Sequence, residues 1–121
     1  MDPGTSAASD CLFCRIVARE IPADIVRDGT RTLAFRDVNP QAPVHVLVIP
    51  KEHYADGAAM VLADPELAGL VLADAAAVAD DEGLVATGYR LVANTGADGG
   101  QTVLHAHVHV LGGRPMTWPP G

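Results

Sequence analysis

Residues 104–111, with the sequence LHAHVHVL, decide how this chain is interpreted. The apolar residues predict a β-strand, in which successive side chains point to opposite faces. His105, His107 and His109 occupy every second position and are therefore expected on one face, roughly 7 Å apart from neighbour to neighbour. Three imidazoles on one face indicate a chemical site. Two kinds fit: a metal bound by two or three ring nitrogens, or a phosphate site with a histidine nucleophile.

A glycine-rich loop before this strand favours the phosphate site. Residues 94–102, with the sequence NTGADGGQT, offer backbone N–H groups on glycines, side-chain amides and the hydroxyl of Thr102. These groups can hold phosphate oxygens without a cationic side chain. Such a site suits an acidic protein, because the chain has 8 lysines and arginines against 15 aspartates and glutamates and a net charge of −7.

Length and composition predict one domain. The chain has 121 residues, of which 49% are hydrophobic, enough for a single core but not for two comfortable domains. Residues 1–9 are expected to be a disordered tail and residues 10–121 the domain. The net negative charge argues against a nucleic-acid polymer as partner. Without a long apolar run or a secretory signal, the protein is expected to be cytoplasmic, with no membrane partner.

The hydrophobic pattern predicts an α+β domain. A short helix is expected from Asp10 to Glu20, and a long one from Asp64, which precedes Pro65 as its cap, to Gly83. The alanine-rich sides of the long helix are a candidate dimer face. An antiparallel sheet of about five strands is expected from segments 25–27, 32–35, 44–49, 89–93 and 103–111, with 44–49 at its centre.

With these features in place, the chain resembles the histidine triad (HIT) superfamily. Its signature, His-φ-His-φ-His-φ-φ with φ apolar, matches residues 105–111. The resemblance continues in Phe13 and in segments 19–22 (REIP), 33–37 (LAFRD), 41–45 (QAPVH), 48–51 (VIPK) and 109–121. These details look like the Hint branch, the purine nucleoside phosphoramidases. The resemblance implies a HIT-like fold whose sheet is extended by dimerisation, and hence a homodimer.

The resemblance also implies a reaction. The substrates would be adenosine or guanosine 5'-monophosphoramidates, purine nucleoside monophosphates joined to an amine through a P–N bond. His107 would attack the phosphorus and form a nucleotidyl-histidine intermediate, which water hydrolyses. His109 would contact the phosphoryl oxygens, with His45 as support. Thr102 stands where the family usually has serine and would keep the hydroxyl beside the phosphate or the leaving group.

Nucleotide contacts follow from the same resemblance. Asp37 would bind the two ribose hydroxyls, and the base would lie between apolar residues. Trp118 would either reach the site of the neighbouring subunit or serve as a buried anchor. The full expected set for the nucleotide is Asp37, Asn94, Gly100, Gln101, Thr102, Phe13, Ile21, Phe35, Leu47 and Trp118.

The remaining motif is the pair Cys11 and Cys14, whose C-x-x-C spacing suits either a zinc half-site or two reduced thiols. Some relatives with this pair bind zinc through histidines at the places of His53 and His105. The resemblance therefore implies a structural Cys₂His₂ zinc site, with no cofactor required for catalysis. His105 would then bind zinc and not phosphate, because one side chain cannot do both.

Two other functions remain open. In the first, His105, His107 and His109 bind a catalytic metal ion, as their spacing alone allows. In the second, the protein is a scaffold that binds nucleotides with little turnover.

Overall fold

The computed structural model describes residues 10–121, so the predicted tail lies outside the described residues. The described chain folds into an α+β domain, as predicted. Its elements, in chain order, are α1 (Leu12–Val17), β1 (Ile25–Asp28), β2 (Thr32–Arg36), β3 (Val44–Pro50), α2 (Gly57–Ala63), α3 (Pro65–Asp81), β4 (Tyr89–Val92) and β5 (Val108–Gly112).

The five strands form one antiparallel sheet in the order β1-β2-β3-β5-β4. The nearly all-apolar β3 is central, as its composition predicted. Its side chains alternate between two cores: Val46 and Val48 pack with α3, whereas Leu47 and Ile49 pack with α1. The same alternation in β5 sends Val108 and Val110 to the α3 side, which leaves His109 for the opposite face.

The long helix α3 begins as its sequence predicted. The Asp64 side chain accepts a hydrogen bond from the N–H of Leu67 at 3.1 Å, and Pro65 follows in the first turn. Beyond its end, Gly83 has a φ of 74°, the left-handed conformation that favours glycine. Ala75 and Ala79 are fully buried against the sheet, whereas Ala76 is exposed. Part of the alanine-rich surface therefore packs inside the domain, and the dimer face stays a prediction.

The prediction of one short and one long helix was incomplete, because α2 precedes α3. Asp56 caps α2 by accepting from the N–H of Ala59 at 2.8 Å. The helix buries only Met60, and its sequence, GAAMVLA, shows no repeat of apolar residues at helical spacing. The sequence pattern therefore did not indicate a helix here.

The first helix is shorter than the predicted span from Asp10 to Glu20. Cys11 is its N-cap, and its sulfur accepts from the N–H of Cys14 at 3.4 Å. The helix ends before Arg19, whose φ of 63° turns the chain away from the helical path. This helix carries Phe13 and Ile16 into the core beside β2 and β3.

The final strand begins five residues later than predicted, at Val108 instead of Val103. Its last pair with β3 is Val48 with Val108. Before that point the backbone bonds elsewhere: the N–H of Ala106 donates to the carbonyl of Tyr54 at 2.7 Å, and the N–H of His105 to Val103 at 2.9 Å. His105 and His107 therefore precede the strand, and the expectation that three histidines share one strand face was wrong.

No helix within residues 10–121 is both long enough and apolar enough to cross a membrane.

Candidate active site

A cavity of about 610 Å³ opens on the sheet face that carries α1. Four predicted base-binding residues line it together, on α1, the following loop, β2 and β3: Phe13, Ile21, Phe35 and Leu47. The predicted polar residues Asp37, His45, Thr102, His107 and His109 line the same cavity. A space of this size, apolar with a few polar groups, suits a small organic ligand.

His107 is buried and its ring orientation is fixed by the chain itself. Its Nδ1 lies 2.6 Å from the carbonyl oxygen of His105. Because a carbonyl can only accept, Nδ1 carries the hydrogen and Nε2 keeps its lone pair. The ring of Phe13 packs edge-on at 5.2 Å between centroids. His107 thus has the tautomer and the fixed orientation that a histidine nucleophile needs.

Neutral His109 carries its hydrogen on Nε2, the opposite tautomer to His107, because of a hydrogen bond from the backbone N–H of Gln41 to His45. The N–H of Gln41 donates to Nδ1 of His45 at 3.0 Å, so His45 carries its hydrogen on Nε2. That Nε2 lies 2.9 Å from Nδ1 of His109, which must accept. The hydrogen of neutral His109 therefore sits on Nε2. This atom is buried, and within residues 10–121 it has no hydrogen-bond partner.

Burial keeps these two rings neutral. Desolvation lowers the pKa of His45 below its usual range, against the opposing effect of the Asp37 carboxylate. Desolvation, assisted by the neighbouring His107 and His45, lowers the pKa of His109 to about 4. The N–H donor of neutral His109 lies next to the His107 ring, whose Nε2 faces away from its carbonyl partner, with ring centroids 4.9 Å apart.

Asp37 follows β2 and is held by its neighbours. One carboxylate oxygen accepts from the N–H of Asn39 at 2.8 Å, and the other lies 3.4 Å from Nε2 of His45. The carboxylate also lines the cavity. It is therefore an oriented acceptor beside the imidazoles, as a ligand with neighbouring hydroxyl groups requires.

Several predicted nucleotide contacts lie elsewhere. Asn94, Gly100 and Gln101 do not line the cavity. The Gln101 amide donates to the carbonyls of Ala55 and Val103 at 2.7 and 3.0 Å, and its oxygen accepts from the N–H of Gly96. Gln101 thus fixes the glycine-rich loop, and the phosphate contacts assigned to these three residues stay predictions.

Trp118 is 83% exposed, so the alternative that it is a buried anchor was wrong. It does not line the cavity of its own chain. Its predicted contact with the site of a neighbouring subunit stays a prediction.

Sequence reasoning missed some of the cavity wall. Gln41 and Arg36 both line the cavity, and the Arg36 guanidinium is held by Glu82 at 2.6 Å. Segment 33–37 (LAFRD) contains Arg36, and segment 41–45 (QAPVH) contains Gln41. The role of Gln41 escaped notice because its contribution to the site is a backbone N–H, which side-chain chemistry does not reveal.

A second cluster joins all four predicted metal ligands. Nδ1 of His105 lies 3.3 Å from Sγ of Cys11, 3.5 Å from Sγ of Cys14 and 3.2 Å from Nδ1 of His53, and Cys14 lies 3.4 Å from His53. A tetrahedral Zn²⁺ with ordinary bond lengths separates a sulfur from a nitrogen ligand by about 3.5–3.6 Å and two nitrogen ligands by about 3.3–3.4 Å. The spacing of the four side chains therefore fits a zinc ion.

The protonation of the cluster fits a cation as well. Nε2 of His105 lies 2.8 Å from the carbonyl oxygen of Pro50, so its hydrogen points away and Nδ1 presents a lone pair to the sulfurs. Burial lowers the pKa of His105 to about 4 and also lowers that of His53, which keeps both rings neutral. Burial and the adjacent Cys11 raise the pKa of Cys14 to about 12. Two thiolates at this place would need a cation to balance them.

His105 connects the two sites. Its ring belongs to the cysteine cluster and its carbonyl holds the ring of His107. It does not line the cavity. Of its two predicted roles, the geometry therefore favours metal binding over phosphate contact.

Comparison with known proteins gave consistent matches. Residues 18–116 match the model of the HIT domain. An uncharacterized HIT-like protein from Synechococcus elongatus is 53% identical over 114 residues, covering 94% of this chain and 99% of the relative. A 14 kDa zinc-binding protein from Zea mays is 48% identical over 117 residues, covering 93% of this chain and 89% of the relative. The crystal structure of a HIT family hydrolase from Legionella pneumophila superposes with a TM-score of 0.88 at 52% identity, covering 92% of this chain and 99% of that one.

Proposed function

Because this chain belongs to the HIT family, we propose that it is a hydrolase of the purine nucleoside phosphoramidase type. It would cleave the P–N bond of adenosine or guanosine 5'-monophosphoramidates. The similarity to a HIT family hydrolase from Legionella pneumophila supports the broader class. The narrower substrate assignment rests on the resemblance to the Hint branch, and the cavity with its imidazoles supports it.

The observation that carries the proposal is the opposed tautomers of His107 and His109. Nε2 of His107 is free to attack phosphorus because Nδ1–H is bonded to a carbonyl. Nε2–H of His109 is a buried donor without a partner among residues 10–121. A phosphoryl oxygen is the acceptor this donor lacks, and such donors stabilise the charge that develops at phosphorus.

The proposed reaction has two steps. Nε2 of His107 forms a bond to phosphorus as the P–N bond breaks, and the amine leaves with a proton from the Thr102 hydroxyl, which lines the cavity. The attacking water of the next step returns a proton to Thr102. Water then attacks the nucleotidyl-histidine, releases the nucleoside monophosphate and restores the neutral ring. The direct test is AMP release from adenosine 5'-phosphoramidate. Absence of turnover by the folded protein would overturn the proposal.

Asp37 would bind the ribose hydroxyls of the nucleotide. We expect Asp37→Asn to raise KM for adenosine 5'-phosphoramidate about tenfold with little change in kcat, because it replaces a charged acceptor of two O–H groups by a neutral one. Steady-state kinetics checks this. Asp80→Asn, on the exposed end of α3, is the control and should change neither constant. A variant of Asp37 with wild-type KM would remove it from the ribose site.

For the cysteine cluster we propose a structural zinc ion held by Cys11, Cys14, His53 and His105. The tetrahedral spacing supports this, and so does the similarity to a maize protein named for zinc binding. Four protein ligands would leave no position for a water or a substrate. The ion would fasten α1, and with it one wall of the cavity, to the loops that follow β3 and precede β5.

A catalytic metal bound by the three triad histidines is the weaker alternative. Nδ1 of His105 faces the cysteines, whereas His107 and His109 line the cavity. Asp37, His45 and His109 also lie close enough to share an ion, but His45 accepts from Gln41 and so keeps a hydrogen on the nitrogen that would have to bind it. We expect unchanged turnover per folded molecule after chelation. Loss of turnover with the fold intact would favour the metal mechanism.

A nucleotide-binding scaffold is the other alternative, and rapid kinetics separates it from an enzyme. An enzyme of the proposed type completes many turnovers for each active site. A scaffold would bind AMP and release little or no product.

We also propose a homodimer in which two sheets meet at β4. This strand lies at the edge of the sheet and exposes Tyr89 and Leu91, and an unpaired apolar edge invites pairing with another strand. Leu91→Lys is expected to shift the protein from dimer to monomer in analytical ultracentrifugation. A wild-type protein that sediments as a monomer at micromolar concentration would contradict the proposal.

A further inference from the structure

Arg114 lies outside the cavity, yet it is connected to His109 through the backbone of Gln41, whose carbonyl binds Arg114 and whose N–H binds His45. Its Nη2 and Nε donate to the carbonyl oxygen of Gln41 at 3.0 and 3.3 Å. The N–H of Gln41 donates to His45, and His45 donates to His109. These contacts end at Nε2 of His109, the buried donor that lacks a partner among the described residues.

The Gln41 N–H determines which nitrogen of His45, and then which nitrogen of His109, carries the hydrogen. The Gln41 N–H can only donate, so His45 must accept on Nδ1 and donate from Nε2. If a shift of the Gln41 backbone turned its N–H away, His45 would be free to carry its hydrogen on Nδ1 instead. His109 would then donate from Nδ1, and its Nε2 would present a lone pair to a phosphoryl oxygen, which is repulsive.

The local chain is built to bring Arg114 to this place. Gly113 has a φ of 90°, and a Cβ there would lie 2.8 Å from Cβ of Pro43. Only glycine allows the chain after β5 to turn this closely against residues 41–43. The third guanidinium nitrogen donates to the carbonyl of Pro115 at 3.0 Å, which fixes the side chain along the tail.

From this geometry we propose that Arg114 is a positioning residue. By holding the Gln41 carbonyl it fixes the backbone of this residue and with it the direction of the Gln41 N–H. That N–H sets the tautomer of His45, and through it the Nε2–H of His109 that meets the phosphoryl group. The inference rests on the proposed function for its kinetic consequence only. The tautomers are properties of the protein without substrate.

The test compares Arg114→Met with Arg90→Met. Both arginines hold the C-terminal segment by donating to a backbone carbonyl, Arg90 to Thr117 at 2.7 Å, but only Arg114 reaches Gln41. Methionine keeps much of the aliphatic stem and removes the donors. The wild type and both variants are labelled with ¹⁵N in the histidine rings, and long-range ¹H–¹⁵N correlations report which nitrogen carries the hydrogen.

We expect His45 and His109 to carry hydrogen on Nε2 in the wild type and in Arg90→Met. In Arg114→Met both rings should shift towards the Nδ1–H form, with His107 unchanged. On adenosine 5'-phosphoramidate the same variant should lose about tenfold in kcat with a smaller change in KM, because only part of the population would lose the donor.

Two results would overturn the proposal: wild-type tautomers of His45 and His109 in Arg114→Met, or an equal shift in Arg90→Met, which would mean that any loosening of the tail suffices. If the tautomers shift as expected but the wild type does not cleave phosphoramidates, the positioning role stands and the proposed function fails. The two ideas are therefore tested separately.

Discussion

Replacement of His107 is expected to lower kcat for adenosine 5'-phosphoramidate by roughly 10⁴- to 10⁶-fold, the scale of loss when a covalent nucleophile is removed. The reason is local. Nδ1–H of this ring is fixed on the carbonyl of His105, so Nε2 is the nitrogen available to attack phosphorus. The variant of choice is His107→Asn, whose amide can still donate to that carbonyl but offers no basic nitrogen.

The control for this variant is its fold and its affinity. His107 is buried beside Phe13, so the melting temperature and circular dichroism are measured alongside the kinetics. AMP should still bind, because the ribose and base contacts are untouched. Turnover within tenfold of the wild type by a folded His107→Asn protein would remove His107 from the mechanism.

The second large effect is expected at the cysteine cluster. Removal of zinc by a strong chelator should lower Tm by roughly 10–20 °C. An ion present at about 100 times its Kd stabilises the folded state by about 2.7 kcal/mol, and each kcal/mol moves Tm by about 4–8 °C in a domain near this size. Differential scanning fluorimetry with and without zinc measures the shift.

The matched control is Cys14→Ser, which keeps the size of the side chain but removes a zinc ligand. This variant should melt at the lower temperature from the start, and chelator should lower its Tm no further. An equal response of wild type and variant to chelator would show that the effect does not arise at this cluster. A wild-type protein whose Tm changes with neither zinc nor chelator would contradict the structural role of the ion.

Features that depend on neighbouring residues could be predicted from the sequence. Asp64 and Pro65 mark the start of α3 because a cap and a proline act within one turn. The apolar run of β3 indicated a central strand because a strand buried on both faces needs few polar side chains. The metal ligands and the apolar wall of the cavity were assigned from the resemblance, and the fold brings each set together.

Features that depend on distant backbone groups could not be predicted. The alternation of 105–109 indicated a strand, but the N–H of Ala106 bonds to Tyr54, so His105 turns towards Cys11 and away from the other two histidines. The tautomers of His107 and His109 depend on the His105 carbonyl and the Gln41 amide. Periodicity does not indicate the partner of a single peptide group.

The measurement that tests the central claim most directly is the capture of the covalent intermediate. Wild-type protein is mixed with adenosine 5'-phosphoramidate, quenched within one turnover in alkali, in which a phosphoramidate bond to histidine survives, and analysed by intact mass and peptide mapping. The proposal predicts one added adenylyl group, located on His107 and absent from His107→Asn. AMP formed at the full rate with no adduct, or an adduct on another residue, would contradict it.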